Sequence, residues 1–237
     1  MNQINQAIIT LGGKGTRLGA ETKVTPKPLV KLFNDFTFLD VLLKRYAHQF
    51  DDLLIFSGYK SEMIEEHIRK FYSKPSPNIR VLVESEPAGT AGAFLIHQAE
   101  LAEQFFVING DTWFDIDFDR LKLKKKSSVA KLVLAAVSDV SRYGSVILDK
   151  YDQIIGFIEK LDCSSSDKGL INTGCYLMSK AILDYIPGCP SSLETEVFPL
   201  LVKARLLEGV AVDGSFIDIG IPETLEFARK NKEYFKL

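Results

Sequence analysis

An α/β fold with a mixed, mostly parallel sheet flanked by helices, and a small antiparallel addition, is predicted by three features of the chain. Short apolar runs alternate with helix-spaced segments through the first half, each run stops at a glycine or a polar residue, and the second half becomes strand-rich with few long helices. A β-α-β-α order calls for parallel strands joined by crossover helices. The 237 residues read as a single domain, and 46% apolar with 25% charged residues suits a soluble protein with a sizeable core.

The first strand is Ala7-Ile8-Ile9-Thr10-Leu11, an apolar run ending at glycines, as a buried parallel strand does. Phe38 to Phe50 has helical spacing, with Phe38, Val41, Leu42, Tyr46 and Phe50 on one side. Leu53-Leu54-Ile55-Phe56 is the second strand, stopped by Ser57-Gly58. Ser61 is the expected N-cap of the next helix, because its hydroxyl can accept an orphan backbone N–H. Glu62 and Glu65 suit the positive end of that helix, and Met63, Ile64, Ile68 and Phe71 form its apolar stripe. Lys74-Pro75-Ser76-Pro77-Asn78 reads as a loop, Val81-Leu82-Val83 as a strand, Thr90 to Ala102 as a helix, and Phe105-Phe106-Val107-Ile108 as the fourth strand. Leu132 to Val137, Ser145 to Leu148, Ile154 to Glu159 and Leu170 to Met178 read as strands that extend the sheet. Lys124 to Ser128 is a charged turn and Cys163 to Lys168 a Ser-rich loop, neither of them a domain linker. Ser191-x-x-Glu194 has the capping-box pattern for a helix to about Lys203, and Pro222 suits the first turn of a last helix reaching Phe235. There is no internal repeat, and no run of hexapeptide β-helix repeats follows Gly220.

Composition excludes several classes. With 29 basic and 31 acidic residues the net charge is −2, which argues against a nucleic-acid scaffold or a polybasic membrane binder. No apolar run approaches the roughly 18 residues that span a bilayer. Met1-Asn2-Gln3-Ile4-Asn5-Gln6 has no basic n-region, and Cys163, Cys175 and Cys189 lack metal-ligand spacing. Three reduced thiols in a cytoplasmic protein are expected. His48, His67 and His97 lie on helix-like segments with no carboxylate pattern around them, so they read as packing or surface residues.

In open sheets of this kind a ligand sits beyond the carboxyl ends of the strands. Those ends carry Gly12-Gly13, Ser57-Gly58, Glu84 and Asn109-Gly110-Asp111. The loop Leu11-Gly12-Gly13-Lys14-Gly15-Thr16-Arg17-Leu18 can bring backbone N–H groups close to an anion. It is not a P-loop, lacking Gly-x-x-x-x-Gly-Lys-Ser/Thr. It is not a dinucleotide fingerprint either: Leu18 stands where a third glycine belongs, and Ser57-Gly58 where the acid belongs. Arg17 lies just past the glycines, and Lys27 is held between Pro26 and Pro28 on a stiff turn. Together with the glycine loop they look like a clamp for a triphosphate.

The pairing of Leu-Gly-Gly-x-Gly-Thr-Arg-Leu with Pro-Lys-Pro-Leu resembles the sugar-1-phosphate nucleotidylyltransferases. The resemblance continues through Glu86 to Ala93, Asn109-Gly110-Asp111-Thr112, Ser141-Arg142-Tyr143-Gly144, Gly156 to Lys160, Ile171-Asn172-Thr173-Gly174 and Phe216 to Glu223. It is nearest to the short bacterial guanylyltransferases for mannose 1-phosphate and D-glycero-D-manno-heptose 1-phosphate. Two departures stand out: Leu11 replaces the small residue usual before the glycines, and Lys160 lacks the proline that often follows.

The resemblance implies a Rossmann-like fold of the nucleotide-diphospho-sugar transferase type, with residues 1–115 as the nucleotide half and 116–237 as the sugar-phosphate half. It implies transfer from an NTP to a sugar 1-phosphate, releasing pyrophosphate and supplying capsule or lipopolysaccharide precursors. The oligomeric state stays open, a homodimer included. Leu11 to Arg17, Lys27, Glu84, Gly89, Thr90 and Asp111 fall at the nucleotide, and Gly110, Gly144, Glu159, Lys160 and Asn172 at the sugar phosphate. Asp111 and Asp218 together would hold Mg²⁺, which prefers a few carboxylates plus phosphate oxygens. Arg17, Lys27, Asp111 and Lys160 carry the chemistry. Asp115, Asp117 and Asp119 read as a solvated rim and Asp213-Gly214 as a turn.

Glu84 points to the base. A carboxylate offers acceptors only, and guanine alone presents adjacent N1–H and N2–H₂ donors on its pairing edge, so GTP is the expected nucleotide. The alternatives are a cytidylyl- or uridylyltransferase acting on another sugar phosphate or a non-sugar phosphate, and a non-catalytic nucleotide-binding regulatory subunit. Retention of Arg17, Lys27, Asp111 and Asp218 weighs against the last.

Overall fold

The computed structural model describes residues 4–13, 15–72, 78–118, 121–140, 143, 145–158 and 168–236. The chain runs β1 (Gln6–Thr10), α1 (Ala20–Val24), β2 (Lys31–Phe33), β3 (Phe36–Thr37), α2 (Phe38–Tyr46), β4 (Asp52–Ser57), α3 (Ser61–Phe71), β5 (Asn78–Val83), α4 (Gly89–Ile96), β6 (Gln104–Asn109) and β7 (Thr112–Phe114). It continues through β8 (Ala130–Val137), β9 (Ser145–Leu148), β10 (Ile154–Ile158), β11 (Gly169–Ser179), α5 (Phe198–Lys203), β12 (Leu207–Ala211), β13 (Phe216–Asp218) and α6 (Pro222–Lys230).

The main sheet has the order β10-β9-β11-β6-β1-β4-β5, with β8 paired to both β11 and β12. Strands β6, β1, β4 and β5 are mutually parallel, as the crossover helices require. The second half enters through β11, antiparallel to β6. Two small antiparallel sheets, β2–β3 and β7–β13, lie outside it.

Alternation along the parallel strands explains their unbroken apolarity. Ala7, Ile9, Leu53, Ile55, Phe106 and Ile108 enter one core with Val41, Leu42, Ile64, Ile68 and Ala228 of α2, α3 and α6. Ile8, Leu54, Phe56, Phe105 and Val107 enter the opposite core with Ala91, Phe94, Phe198 and Leu201 of α4 and α5. Both faces are covered, so neither parity of residue can be polar.

Several boundaries differ from expectation, each for a local reason. The segment after α2 tightens into a 3₁₀ turn, Ala47–Gln49, and α4 ends at Ile96 ahead of a 3₁₀ turn at Gln98–Glu100. Lys60, at φ 56°, and not Ser61, caps α3; Ser61 is already helical. Its ammonium is drawn away to the carbonyls of Lys23 and Val24. Ser192, not Ser191, caps the turn before α5, accepting the Thr195 N–H at 3.2 Å. The last helix stops at Lys230, and Lys232–Phe235 follows as a 3₁₀ turn. The Ser-rich stretch 163–167, the loop at 74–77 and the end of the 154–159 strand at Glu159 lie outside the described residues.

Two polar readings are also corrected. His67 does have a carboxylate partner: its Nε2 lies 2.7 Å from Asp40 Oδ1, across from α3 to α2. Asp40 also closes a capping box with Thr37 and accepts the Tyr72 hydroxyl at 2.7 Å. Asp115 is not a solvated rim residue, because Arg45, at 2.9 Å, and Lys236 both pair with it. No helix among the described residues is long and apolar enough to cross a membrane.

Candidate active site

The carboxyl ends of β1, β4, β5 and β6 open into one cleft of about 370 Å³. Its floor is stitched by backbone. Leu11 N–H donates to the Phe56 carbonyl at 2.7 Å, and Gly110 N–H to the Thr10 carbonyl at 2.9 Å. Leu11, Gly12 and Gly13 line one side, and Gly110 and Asp111 the adjoining one. Leu11 has a packing reason to be large: a Cβ placed on Gly110 would lie 2.0 Å from its Cδ2, so the leucine fills the space that glycine leaves.

At one end sits the cationic clamp. Lys27 opens a 3₁₀ turn, Lys27–Leu29, whose backbone is fixed by the prolines on either side. Lys27 is only 8% exposed, and its Nζ lies 2.6 Å from Asp111 Oδ2. Gly15 supports it from behind, since a Cβ there would stand 3.1 Å from Lys27 Cβ.

Asp218 reaches the same end through β13. The β7–β13 ladder sets Asp218 opposite Thr112, and Ile219 N–H donates to the Asp111 carbonyl at 2.9 Å. Tyr143 O–H donates to Asp218 Oδ2 at 2.7 Å and Gly220 N–H to Oδ1 at 2.9 Å. Arg17 is exposed beside this corner: a Cβ on Gly220 would be 2.7 Å from Asp218 Oδ1 and 3.8 Å from Arg17 Nη2. Arg17 and Asp218 therefore flank the cleft rather than line it.

At the other end Glu84 extends β5 by one residue, its N–H donating to the Ser57 carbonyl at 2.8 Å. The carboxylate packs on glycine backbone, with 3.8 Å from Oε1 to a Cβ placed on Gly12 and 3.6 Å from Oε2 to one on Gly58. Ala88 N–H donates to Oε2 at 3.1 Å, and among the described residues nothing donates to Oε1. Burial pushes the Glu84 carboxyl above its ordinary range, and the Ala88 bond opposes this in part.

Gly89 and Thr90 form the facing wall. Gly89 has φ +75° and approaches Ser191 so closely that a Cβ would fall 2.2 Å from its carbonyl oxygen. The Thr90 hydroxyl donates to Glu194 Oε2 at 2.7 Å and accepts Leu193 N–H at 2.8 Å. Its donor is thus committed to the 191–194 segment, which makes Thr90 a brace of the wall with one acceptor lone pair left over. Asn172 lies at a bulge in β11. Its Oδ1 accepts Gly174 N–H, and that bulge packs against Asn109 at the cleft. Thr16 is exposed and does not line the cleft. Lys14, Gly144, Glu159 and Lys160 lie outside the described residues.

The sequence assigned no ligand contact to Asn109, Phe56 or Tyr143, and gave Glu194 only a capping role. Asn109 and Tyr143 stand inside quoted motifs and could have been weighed there; Glu194 shows its link to Thr90 only once the chain is folded.

A sheet-end cleft with an acid at one end and a lysine–aspartate pair at the other defines a class, and the family comparison agrees. The nucleotidyl transferase family model matches residues 6–233, and the chain belongs to that family. The D-glycero-alpha-D-manno-heptose 1-phosphate guanylyltransferase of Campylobacter jejuni is 36% identical over 220 residues, covering 92% of this chain and 96% of that protein. The mannose-1-phosphate guanyltransferase of Schizosaccharomyces pombe is 33% identical over 92% of this chain, which spans 61% of that longer protein. The crystal structure of HddC from Yersinia pseudotuberculosis complexed with GMP-PN superimposes with a TM-score of 0.81 at 28% identity, covering 97% of this chain and 100% of that one. A putative glucose-1-phosphate thymidylyltransferase from Bacillus anthracis shares the fold, with a TM-score of 0.76 at 22% identity over 99% of this chain and 96% of that one.

Proposed function

We propose that this chain is a sugar-1-phosphate guanylyltransferase that joins GTP to a mannose- or manno-heptose-type 1-phosphate, giving a GDP-sugar and pyrophosphate. The observation that carries the reading is the separation of chemistries along one cleft: Glu84 at one end, and Lys27 with Asp111 at the other. That spacing suits a base at the first and phosphates at the second.

The sugar phosphate oxygen attacks the α-phosphorus in line and the pyrophosphate leaves on the far side. A phosphate monoester is already nucleophilic near neutral pH, so no covalent enzyme intermediate is needed. Lys27 and Arg17 balance charge on the triphosphate and on the departing pyrophosphate. Glu84 accepts from guanine N1–H and N2–H₂. By resemblance, Lys160 seats the incoming phosphate, with Glu159, Asn172 and the Gly144 backbone against the sugar.

Asp111 and Asp218 suit Mg²⁺ by chemistry: both are hard oxygen donors carried on paired backbone. Among the described residues no group of three or more His, Cys, Asp or Glu side chains could hold a metal, so further ligands would come from phosphate oxygens and water, as magnesium prefers. When bound, the ion would supply charge neutralisation at the α-phosphate.

A panel of four NTPs against sugar 1-phosphates, followed by pyrophosphate release, tests the reading. GTP with a mannose or heptose 1-phosphate is expected to lead; turnover led by CTP, UTP or dTTP would replace guanine, and release with no sugar phosphate would remove the transfer itself.

A further inference from the structure

We propose that Lys27 is a stand-in for the metal: it neutralises Asp111 until a nucleotide arrives, and so keeps a divalent cation from occupying that carboxylate alone. The inference rests on the nucleotide and metal reading above and extends it to the order in which the two enter.

The geometry carries it. Among the described residues Asp218 accepts from the Tyr143 hydroxyl and the Gly220 N–H, which can remain while an oxygen lone pair turns to a cation. The Tyr143 ring also packs on Phe216 of the same strand, 5.7 Å between centroids, which fixes the hydroxyl where it is. Asp111 faces the Lys27 ammonium 2.6 Å away, on a side chain with only 10% of its surface exposed. A divalent ion approaching Asp111 meets that ammonium first, and two cations on one carboxylate repel.

The lysine can leave only along its stem. Its backbone is held in the turn between Pro26 and Pro28, with the Gly15 loop behind its Cβ. A lysine ammonium is a point charge with three rotatable donors, so it can exchange one anion for another without moving the backbone. It needs a second anion near the first, and a triphosphate lying along the cleft provides one. The nucleotide then frees Asp111 at the moment it contributes phosphate oxygens to the ion. Metal and nucleotide must therefore strengthen each other's binding, since each removes an obstacle to the other.

Mn²⁺ binding followed by electron paramagnetic resonance, with no sugar 1-phosphate present, tests this without turnover. The wild type is expected to bind Mn²⁺ weakly alone and at least about tenfold more tightly with GTP, a coupling of ordinary size. Lys27→Met is expected to bind Mn²⁺ alone about tenfold more tightly than the wild type, and to show a smaller coupling that retains only what phosphate ligation supplies. Adding Asp111→Asn to Lys27→Met should abolish the gain. Arg17→Met removes a charge that lies beside Asp218, and should raise the affinity for Mn²⁺ alone by clearly less than Lys27→Met does. Equal gains in Lys27→Met and Arg17→Met, or no gain in Lys27→Met, would overturn the stand-in role while leaving the metal site intact. Should Lys27→Met fail to fold, Lys27→Gln and the wild-type coupling remain, and a wild-type coupling factor near one overturns the proposal. No Mn²⁺ binding even with GTP would instead remove the metal reading and this proposal with it.

Discussion

Glu84 is where base choice and ionisation meet. On the proposed reading its carboxylate offers two acceptors to guanine, so Glu84→Gln would leave one of the two guanine donors facing an amide N–H₂. The preference for GTP over ITP, which lacks the 2-amino group, should fall from about tenfold or more to near unity in that variant, read as a ratio of kcat/KM values. An unchanged ratio would detach Glu84 from the base. Burial raises the Glu84 carboxyl, so protonation removes an acceptor at a higher pH than an exposed glutamate would show. The kcat/KM for GTP should accordingly decline on the acid side at a higher pH than an exposed glutamate would give, and this limb should be lost in Glu84→Gln. Asp40 shows the opposite sign. Burial alone would raise it, but bonds from His67, Thr37 and Tyr72 outweigh burial and bring it from 3.8 to about 2. Stability from this group is present above the unfolded value and lost as pH falls through about 2. It amounts to about 2 kcal/mol, so urea unfolding of Asp40→Asn should show a deficit of that order at pH 6 that shrinks towards pH 2. Glu84, Lys27 and Asp111 were legible from the chain because each stands at a strand end or between prolines. The His67–Asp40 pair was not, because its partners sit on different helices and share no short-range pattern.

Elements were legible where periodicity is strong and less so where tertiary contact sets the ends. The four parallel strands follow from apolar runs that two cores demand. The cap before α5 falls on Ser192 because the Ser191 carbonyl is already accepting Ala91 N–H, at 2.9 Å, from α4. The same contact makes Gly89 irreplaceable by reasons of space and of φ. Gly89→Ala should therefore displace the 188–194 segment from α4, lowering GTP affinity about tenfold or more in a binding titration while far-UV circular dichroism stays near wild type. Further out, β12 is held to β8 by a buried pair, Lys131 to Glu208 at 2.9 Å, and Glu208 also accepts the Ser128 hydroxyl and the N–H groups of Lys124 and Lys125. Lys131→Met leaves a buried carboxylate without its cation and should cost about 3–5 kcal/mol in denaturant unfolding, whereas Lys131→Met with Glu208→Leu should recover part of that loss. Full additivity of the two changes would contradict the pair. Nothing in the local pattern at Lys131 announces this, since a lysine in a strand ordinarily marks an exposed face.

For the molecule as a whole, the late part of the chain completes a site begun by the early part. The strand that carries Asp218 pairs with β7, directly after Asp111, and α6 then returns to the glycine-loop side, where Arg229 pairs with Glu21 at 2.6 Å. Motif order along the sequence could suggest that these residues meet, but only the β7–β13 register shows which backbone atoms bring them together. The proposed sugar site rests on motifs alone, because Glu159 and Lys160 fall beyond the described end of β10. On the proposed reading Lys27 and Asp111 serve one nucleoside triphosphate at the phosphate end of this cleft. The direct test is pyrophosphate release from GTP and a manno-configured sugar 1-phosphate by the wild type, Lys27→Ala and Asp111→Asn, each first shown to be folded. Both variants are expected to lose turnover by at least about 10²-fold; rates near those of the wild type in either would rule out the shared role of Lys27 and Asp111.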